Sequence, residues 1–516
     1  MTFFNFFLSF LFTLNSLGSI SGAPAFPELT YFVNDDFAWL QAEIDNAAKN
    51  NSVLELEENR KYYISKPLNI KCSINGNEAE VIPTFSNTRV LYFSREDLRI
   101  SNIRIGGGNV TYIDMNMDGI HLKDCNIEGH RSTALVVIRA NNIRITGSKI
   151  SNLYRKNKHY AIRNRVGVSI DGVRVSNSQI DGGIYLENSE YSKYGDYIFE
   201  NCEVNVDYSH LMQYMNDQND AVFLRGVDGV VFKSNKFNFT NINRGFKLTD
   251  VDRKYDKRGV ENVSISRFPA TNILFLNNSI YSNASNGKQL FDFFDGTGRV
   301  LIKGNYIYSK GHSNIFEDKT DFKPSIERYH VLKGNKIYTD FRILHYDGNV
   351  QSSKNASSTL EIEDNEFHYI GSFPTLTLKR RLDSNNIATF KFDYFFSIRN
   401  LESFKYSNNR FYAPSVPEIV MFKIVDVLNT DVIESDLLGS FNFISMNRPS
   451  QLRLSRNHIF PNRSDFFVNV INREKIKFAK FEVTYNQISG VPSTFKISNF
   501  SGSRTDVSNN KIIKDI

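Results

Sequence analysis

Between residues 120 and 512 one order of apolar and polar positions recurs thirteen times: apolar, any, apolar, any, any, polar, any, apolar. Clear copies are 273–280, 300–307, 330–337 and 360–367. The polar slot holds Cys125, Ser148, Ser178 and Cys202. Then come Asn235, Asn278, Asn305, Asn335, Asn365, Asn409, Asn457, Asn486 and Asn510. The residues three before and two after every slot are apolar. The chain is only 41% hydrophobic, so two unbroken apolar columns are not chance. Period two within the phrase predicts a short strand with one buried face. Thirteen slots spread over 125–510 give a repeat of roughly 32 residues, too short for a four-stranded propeller blade and without helical periodicity. What remains is an all-β solenoid, a right-handed parallel β-helix of three short strands per coil. Each coil packs only on its neighbours, so a single domain over 26–516, with coils over 53–514, is expected. A slot Asn donates and accepts at once. Stacked at one corner, it can bond the coils above and below and tolerate a left-handed backbone. The Asn column is therefore read as scaffold rather than catalytic.

Residues 35–49 predict an amphipathic helix. Phe37, Leu40, Ile44 and Ala48 share one face, and acidic residues crowd the first turn. Strands are expected at 53–56, 62–64 and 68–70. A solenoid must cover its open end, which makes this helix the cap. The order Trp39-Leu-Gln, Ile44-Asp, Val53-Leu-Glu-Leu56, Tyr62-Tyr-Ile64 resembles the entry segment of the pectate-lyase-like parallel β-helix superfamily. Secreted polysaccharide lyases and hydrolases and phage tailspikes share that entry. With the coil phrase, the resemblance spans nearly the whole chain. It implies a carbohydrate-active or carbohydrate-binding protein.

Residues 3–14 form the strongest apolar run, and small residues follow up to Ala25. This predicts a secretory signal over 1–25 and a secreted or periplasmic protein, without stable membrane insertion after cleavage. No Lys or Arg precedes the run, which leaves an uncleaved anchor as the alternative. Net charge is +6 with both signs interleaved. That is no basic stripe, and nucleic acid is not expected as a partner. A polysaccharide, and an acidic one, suits the mild cationic bias. Three Cys cannot all pair with one another. Cys125 and Cys202 share a column three coils apart, about 14 Å, beyond disulfide reach. The residues leave monomer and trimer equally open.

Chemistry is expected where the repeat slows. The intervals 202–235, 235–278, 365–409 and 409–457 are long, and long loops on rigid scaffolds carry function. The first pair is dense in titratable groups: His210, Asp217, Asp220, Arg225, Lys247 and Asp250 as catalytic candidates, with Arg244, Arg253 and Lys254 beside them. The second pair, with 375–383 and a mostly apolar 415–445, reads as a lid, a tail cap or an oligomer contact. Residues 220–225 and 244–250 should be matching strands of neighbouring coils, stacking outward side chains about 5 Å apart. Asp292 and Asp295 form a second carboxylate pair one coil on. Tyr185, Tyr191, Tyr194 and Phe223 could stack on sugar rings. Facing carboxylates suit a hydrolase. A cationic base with a cation or Ca²⁺ on a uronate carboxylate suits a lyase. No cofactor and no protein metal site is otherwise indicated. The Gly-His-Gly of polygalacturonases and the Asp-Pro-His of alginate epimerases are absent. Against the Lys and Arg-His-Gly of chondroitinase-B-like lyases, the chain offers Arg225 and Arg244-Gly-Phe-Lys247. The expectation is an exported polysaccharide lyase or hydrolase. A non-catalytic protein that binds or exports exopolysaccharide, or a tailspike-like adhesin, is the alternative.

Overall fold

The computed structural model describes residues 35–513 apart from 86–88, 108–111, 131–133, 156–158, 165–169, 188–195, 215–218, 250–268, 295–296, 320–326, 349–356, 372–376, 382–386, 392–393, 413–419, 439, 445–450, 461–467, 472–479 and 490–504. The expected signal segment lies outside the described residues.

The chain winds through three parallel ladders that together make a right-handed parallel β-helix. Face one stacks 99–101, 121–123, 144–146, 173–176, 197–200, 228–233, 271–276 and onward, each strand pairing in register with the next. Face two begins after each slot, as at Asn126–Gly129, Lys149–Asn152 and Gln179–Asp181. Face three closes the coil, as at Gly183–Glu187, Asp220–Arg225 and Arg244–Thr249.

Register puts like residues on like. On face one Val175, Phe199, Phe232, Phe275, Ile302, Leu332, Ile362 and Tyr406 form one inward column, nearly all fully buried. Phe199, Phe232 and Phe275 stack at 5.2 Å between centroids. On face three Phe246, Phe291 and Phe316 do the same at 4.8 and 5.1 Å. Burying one such ring contributes about 2–3 kcal/mol, so the cylinder is held mainly by these columns.

The Asn column behaves as the sequence suggests. Asn278 Oδ1 accepts from Asn235 N at 2.8 Å and Asn235 Nδ2 at 3.1 Å, and Asn278 Nδ2 donates to Phe232 O at 2.9 Å. The same pattern runs through Asn305, Asn335, Asn365 and Asn409. The left-handed backbone, however, falls one residue earlier than the slot, at Asp124, Asn177, Asn277, Gly304, Asp364, Asn408, Arg456 and Tyr485 among others. The slot side chain turns inward to bond, and the residue before it makes the bend. Gly304 is forced twice over: its φ is +69°, and a Cβ there would lie 2.2 Å from Asn277 Oδ1.

Three expectations are corrected. The helix spans Phe37–Lys49, and Asp36 precedes it without capping it. Asp36 instead accepts from Tyr63 N at 2.9 Å and pairs with Arg60 at 3.4 Å, tying the cap to the first coil. The acidic residues thus sit outside the first turn. Leu40, Ile44 and Ala47 are buried, with Phe37 and Ala48 packed against the core. Finally, the interval 409–457 hides a complete coil rather than a lid. Strands Val420–Ile433, Asp436–Leu438 and Ser440–Ile444 continue the ladders, and Ser435 fills the slot. Ser435 Oγ accepts from Asn409 N at 3.1 Å, and Ser435 N donates to Asn457 Oδ1 at 3.0 Å. In this copy a buried Thr430 stands at the first apolar position, as His330 and Thr505 do in two of the thirteen, while Val432 and Leu437 keep the spacing. In 365–409 the extra length includes an antiparallel hairpin, Thr377–Arg381 with Ile387–Lys391. Cys72, Cys125 and Cys202 are free and buried, as small apolar groups would be.

Candidate functional site

Face three carries the charge that the sequence singled out. Its register aligns Tyr185, Phe223, Lys247, Asp292, Glu317 and His345 in one outward column over successive coils. A second column, at the strand starts, runs Asp220, Arg244, Gln289, Asn314 and Arg342. The paired strands expected at 220–225 and 244–249 are therefore observed, and Asp292 lies one coil further on. Gly245 lets them approach: a Cβ there would meet Leu290 Cδ1 at 2.6 Å and Leu290 O at 2.8 Å.

Arg244 joins the two columns. Its guanidinium reaches Asp220 Oδ1 at 3.2 Å and Asp292 Oδ2 at 2.6 Å. Gln289 Nε2 and Asn314 Nδ2 both donate to Glu317 Oε2. Asp220, Arg244, Gln289, Asp292, Asn314 and Glu317 are all buried, at 9% exposure or less. Burial raises the Asp292 carboxyl to about 7. Arg244 pulls it down and Glu317, one coil away, pushes it up. The Arg244 guanidinium is held above its ordinary value: burial opposes its charge, and Asp292 and Asp220 outweigh that. A carboxyl that titrates near neutrality beside a hydrogen-bonded Glu is a pair able to give and take protons.

The rim is softer. Tyr185 and Phe223 meet edge to face at 5.1 Å, Lys247 lies 5.2 Å over the Phe223 ring, and Arg163 lies 4.9 Å over Tyr185. Arg225 pairs with Glu187 at 3.4 Å, and the Tyr185 hydroxyl donates to the same Glu187. Burial first, then Glu187, raises the Tyr185 phenol well above its ordinary range.

Structure separates the sequence candidates. Asp220, Arg225, Arg244, Lys247, Tyr185 and Asp292 share face three. His210 does not join them. A short 3-10 turn, Ser209–Tyr214, lays it on His159 with centroids 5.6 Å apart and planes at 25°. The turn carries it to the corner where face two ends, outside the column that holds Lys247 and Asp292. Asp217, Asp250, Tyr191, Arg253, Lys254 and Asp295 lie outside the described residues. The sequence reading missed Glu317, Gln289, Asn314 and Glu187. The strand register brings Glu317, Gln289 and Asn314 into the same columns as Lys247 and Arg244, and Glu187 beside Arg225.

A second ionic group lies inside the cylinder. Arg328 pairs with Asp318, and the Tyr346 hydroxyl meets His330 Nδ1 at 3.0 Å. All four are at most 1% exposed. Burial and the neighbouring Arg328 push the His330 imidazole down to about 3, so it is neutral. This group is sealed from any ligand and is read as structure. Among the described residues no cluster of His, Cys, Asp or Glu could hold a metal ion, and no helix is long and apolar enough to cross a membrane.

No family model and no curated protein matches the chain. Solved structures do. One is a tailspike mutant of Escherichia coli bacteriophage HK620 in complex with pentasaccharide: 11% identity, 93% of this chain, 76% of that one, TM-score 0.30. A second mutant of that tailspike covers 96% and 78% at TM-score 0.32. The surface adhesin PfbA of Streptococcus pneumoniae matches at 11% identity over 89% and 87%, TM-score 0.27. Likenesses this distant carry nothing about the chain's chemistry or ligand.

Proposed function

We propose that this protein is an exported polysaccharide-degrading enzyme of the glycoside hydrolase type, working on face three. The observation that supports it is the buried pair Asp292 and Glu317 on neighbouring coils, with Arg244 locking Asp292 in place. Asp292, raised to about 7, is suited to protonate the glycosidic oxygen. Glu317, fixed by Gln289 and Asn314, is suited to act as the partner carboxylate, as base or nucleophile. Tyr185 and Phe223 offer a sugar-sized apolar edge at the same face. Lyase chemistry has less support. Its cations are committed, Arg244 to Asp220 and Asp292, and Arg225 to Glu187. The preference for an acidic glycan rests on the net charge of +6.

One observation favours a second reading, a protein that binds polysaccharide without cutting it. Asp292 and Glu317 are each 3% exposed, and buried ion pairs are commonly structural. A reducing-end assay on a panel of neutral and uronate polysaccharides separates the two, with ultraviolet detection of unsaturated products alongside. New reducing ends that vanish in Asp292→Asn support the hydrolase. Unsaturated product would instead show a lyase. Retention in affinity electrophoresis with no product on any member leaves the binding protein.

A further inference from the structure

A cavity of about 350 Å³ lies at the corner where face two ends, on the coils before those of the Asp292 pair. Its volume is in the range of small-ligand pockets. One wall is a hydrogen-bonded row on face two. Asp181 and Asn205 are in register, as are Asn205 and Asn238. Asn238 Nδ2 donates to Asn205 Oδ1 at 2.7 Å, and Asn205 Nδ2 donates to Asp181 Oδ1 at 2.8 Å. Ser151 and Gln179 hold the far side of the same carboxylate, at 2.7 and 2.9 Å to its Oδ2. The row is thus rigid, with donors and acceptors repeating at the coil spacing of about 4.8 Å.

The opposite wall is flat and aromatic. His159 and His210 are stacked, and Tyr208 backs His159 edge-on at 5.3 Å. Burial takes the Tyr208 phenol far above its ordinary value, so it stays neutral, and it donates to His159 O at 3.1 Å. That fixes the strand end carrying His159. The His210 Nε2 is buried and has no hydrogen-bond partner. A buried polar atom without a partner costs about 1–3 kcal/mol.

A ring face opposite a ladder of amides and a carboxylate is the complement of a pyranose, apolar on its axial C–H face and hydroxylated at its rim. Charge narrows the class. Asp181 and Asp207 line the cavity against one cation, the exposed Arg155. Two carboxylates to one guanidinium disfavour a uronate or a phosphate. We infer that this cavity is a carbohydrate subsite that takes one neutral pyranose unit. The inference does not need the face-three chemistry to be right, since it rests on different residues.

The test uses the full chain and three probes: the methyl glycosides of glucose, galactose and N-acetylglucosamine. Saturation-transfer NMR detects contact and calorimetry gives the affinity. At least one probe should bind saturably. His210→Ala and Asn238→Ser should each weaken it at least tenfold, while Asp292→Asn should leave it unchanged. His210 sits on a turn outside the ladders, so its loss spares the coil, and unchanged melting checks this. No saturable binding by any probe overturns the inference. So does binding that both pocket variants leave intact, or that Asp292→Asn abolishes. Probe binding by a parent chain that releases no reducing ends from any polysaccharide would sink the face-three reading alone.

Discussion

Replacing Asn305 by Ala should be among the most damaging single changes in the scaffold. Asn305 Oδ1 accepts from Asn278 N at 2.8 Å and Asn278 Nδ2 at 2.9 Å. Its own Nδ2 donates to Phe275 O at 2.9 Å and to Asn335 Oδ1 at 3.0 Å. Alanine leaves Asn278 N–H without a partner and takes a side-chain hydrogen bond from the Phe275 carbonyl, which keeps its place in the ladder with 299–303, at residues 1% and 0% exposed. Asn278 Nδ2 keeps Phe232 O at 2.9 Å, so it is only half stripped. One orphaned N–H at about 1–3 kcal/mol and one lost hydrogen bond at about 1 kcal/mol give a loss of roughly 2–4 kcal/mol. Serine should cost about half of that. At natural Ser slots the hydroxyl accepts the preceding coil's N–H, as from Cys125 at 3.1 Å and Ser148 at 3.2 Å. It then donates two residues back along its own chain, Ser148 to Thr146 O and Ser178 to Ser176 O. Asn305→Ser would therefore rescue Asn278 N–H but not the Phe275 carbonyl. Urea titrations followed by circular dichroism rank the three proteins. Solenoids can unfold in sections, so midpoints from two probes should be compared. An alanine variant within about 0.5 kcal/mol of the parent, or a serine variant as weak as alanine, would refute the reasoning.

Arg244→Met should cost roughly 3–5 kcal/mol, because it strands Asp220 and Asp292 without their shared cation; a melting temperature close to the parent's would contradict this. If Asp292 is the acid, its folded pKa of about 7 means the proton-donating form is lost as pH rises. Reducing-end release should then fall above about pH 7, and a flat profile from pH 5 to 9 argues against the assignment. His330 is held at about 3 while an unfolded His titrates near 6.5, so the unfolded state binds the extra proton between those values. Stability at this site should fall as pH drops from about 6.5 toward 3, and His330→Gln should flatten that slope in pH-dependent urea midpoints. Tyr485 sits at φ +57° and is 58% exposed, so Tyr485→Asn should stabilise by about 1 kcal/mol, read as a higher melting temperature.

Much of the fold was legible because faces one and two keep a fixed distance from the slot. Three before it and two after it are inward on every coil, since the corner between them is always the same bend. The extra coil within 409–457 keeps the same spacing, with Val432 three before Ser435 and Leu437 two after it, and a buried Thr430 at its first position. Face three has no such constant. Lys247 lies 12 residues after its slot, Asp292 14, Glu317 12 and His345 10, yet all four are in register. Counting twelve from the slot therefore finds Lys247 and Glu317 but misses Asp292 and His345.

By itself the sequence determined the solenoid, the Asn spine, the capping helix and the coils on which titratable residues gather. These depend on short-range periodicity, which a one-dimensional string preserves. Tertiary structure alone decided which charges meet. It placed Arg244 between Asp220 and Asp292, set Glu317 beside Asp292, and carried His210 to His159. Those meetings are set by backbone hydrogen bonds between residues 20 to 50 apart, across turns of unequal length, and by burial that only the closed cylinder creates.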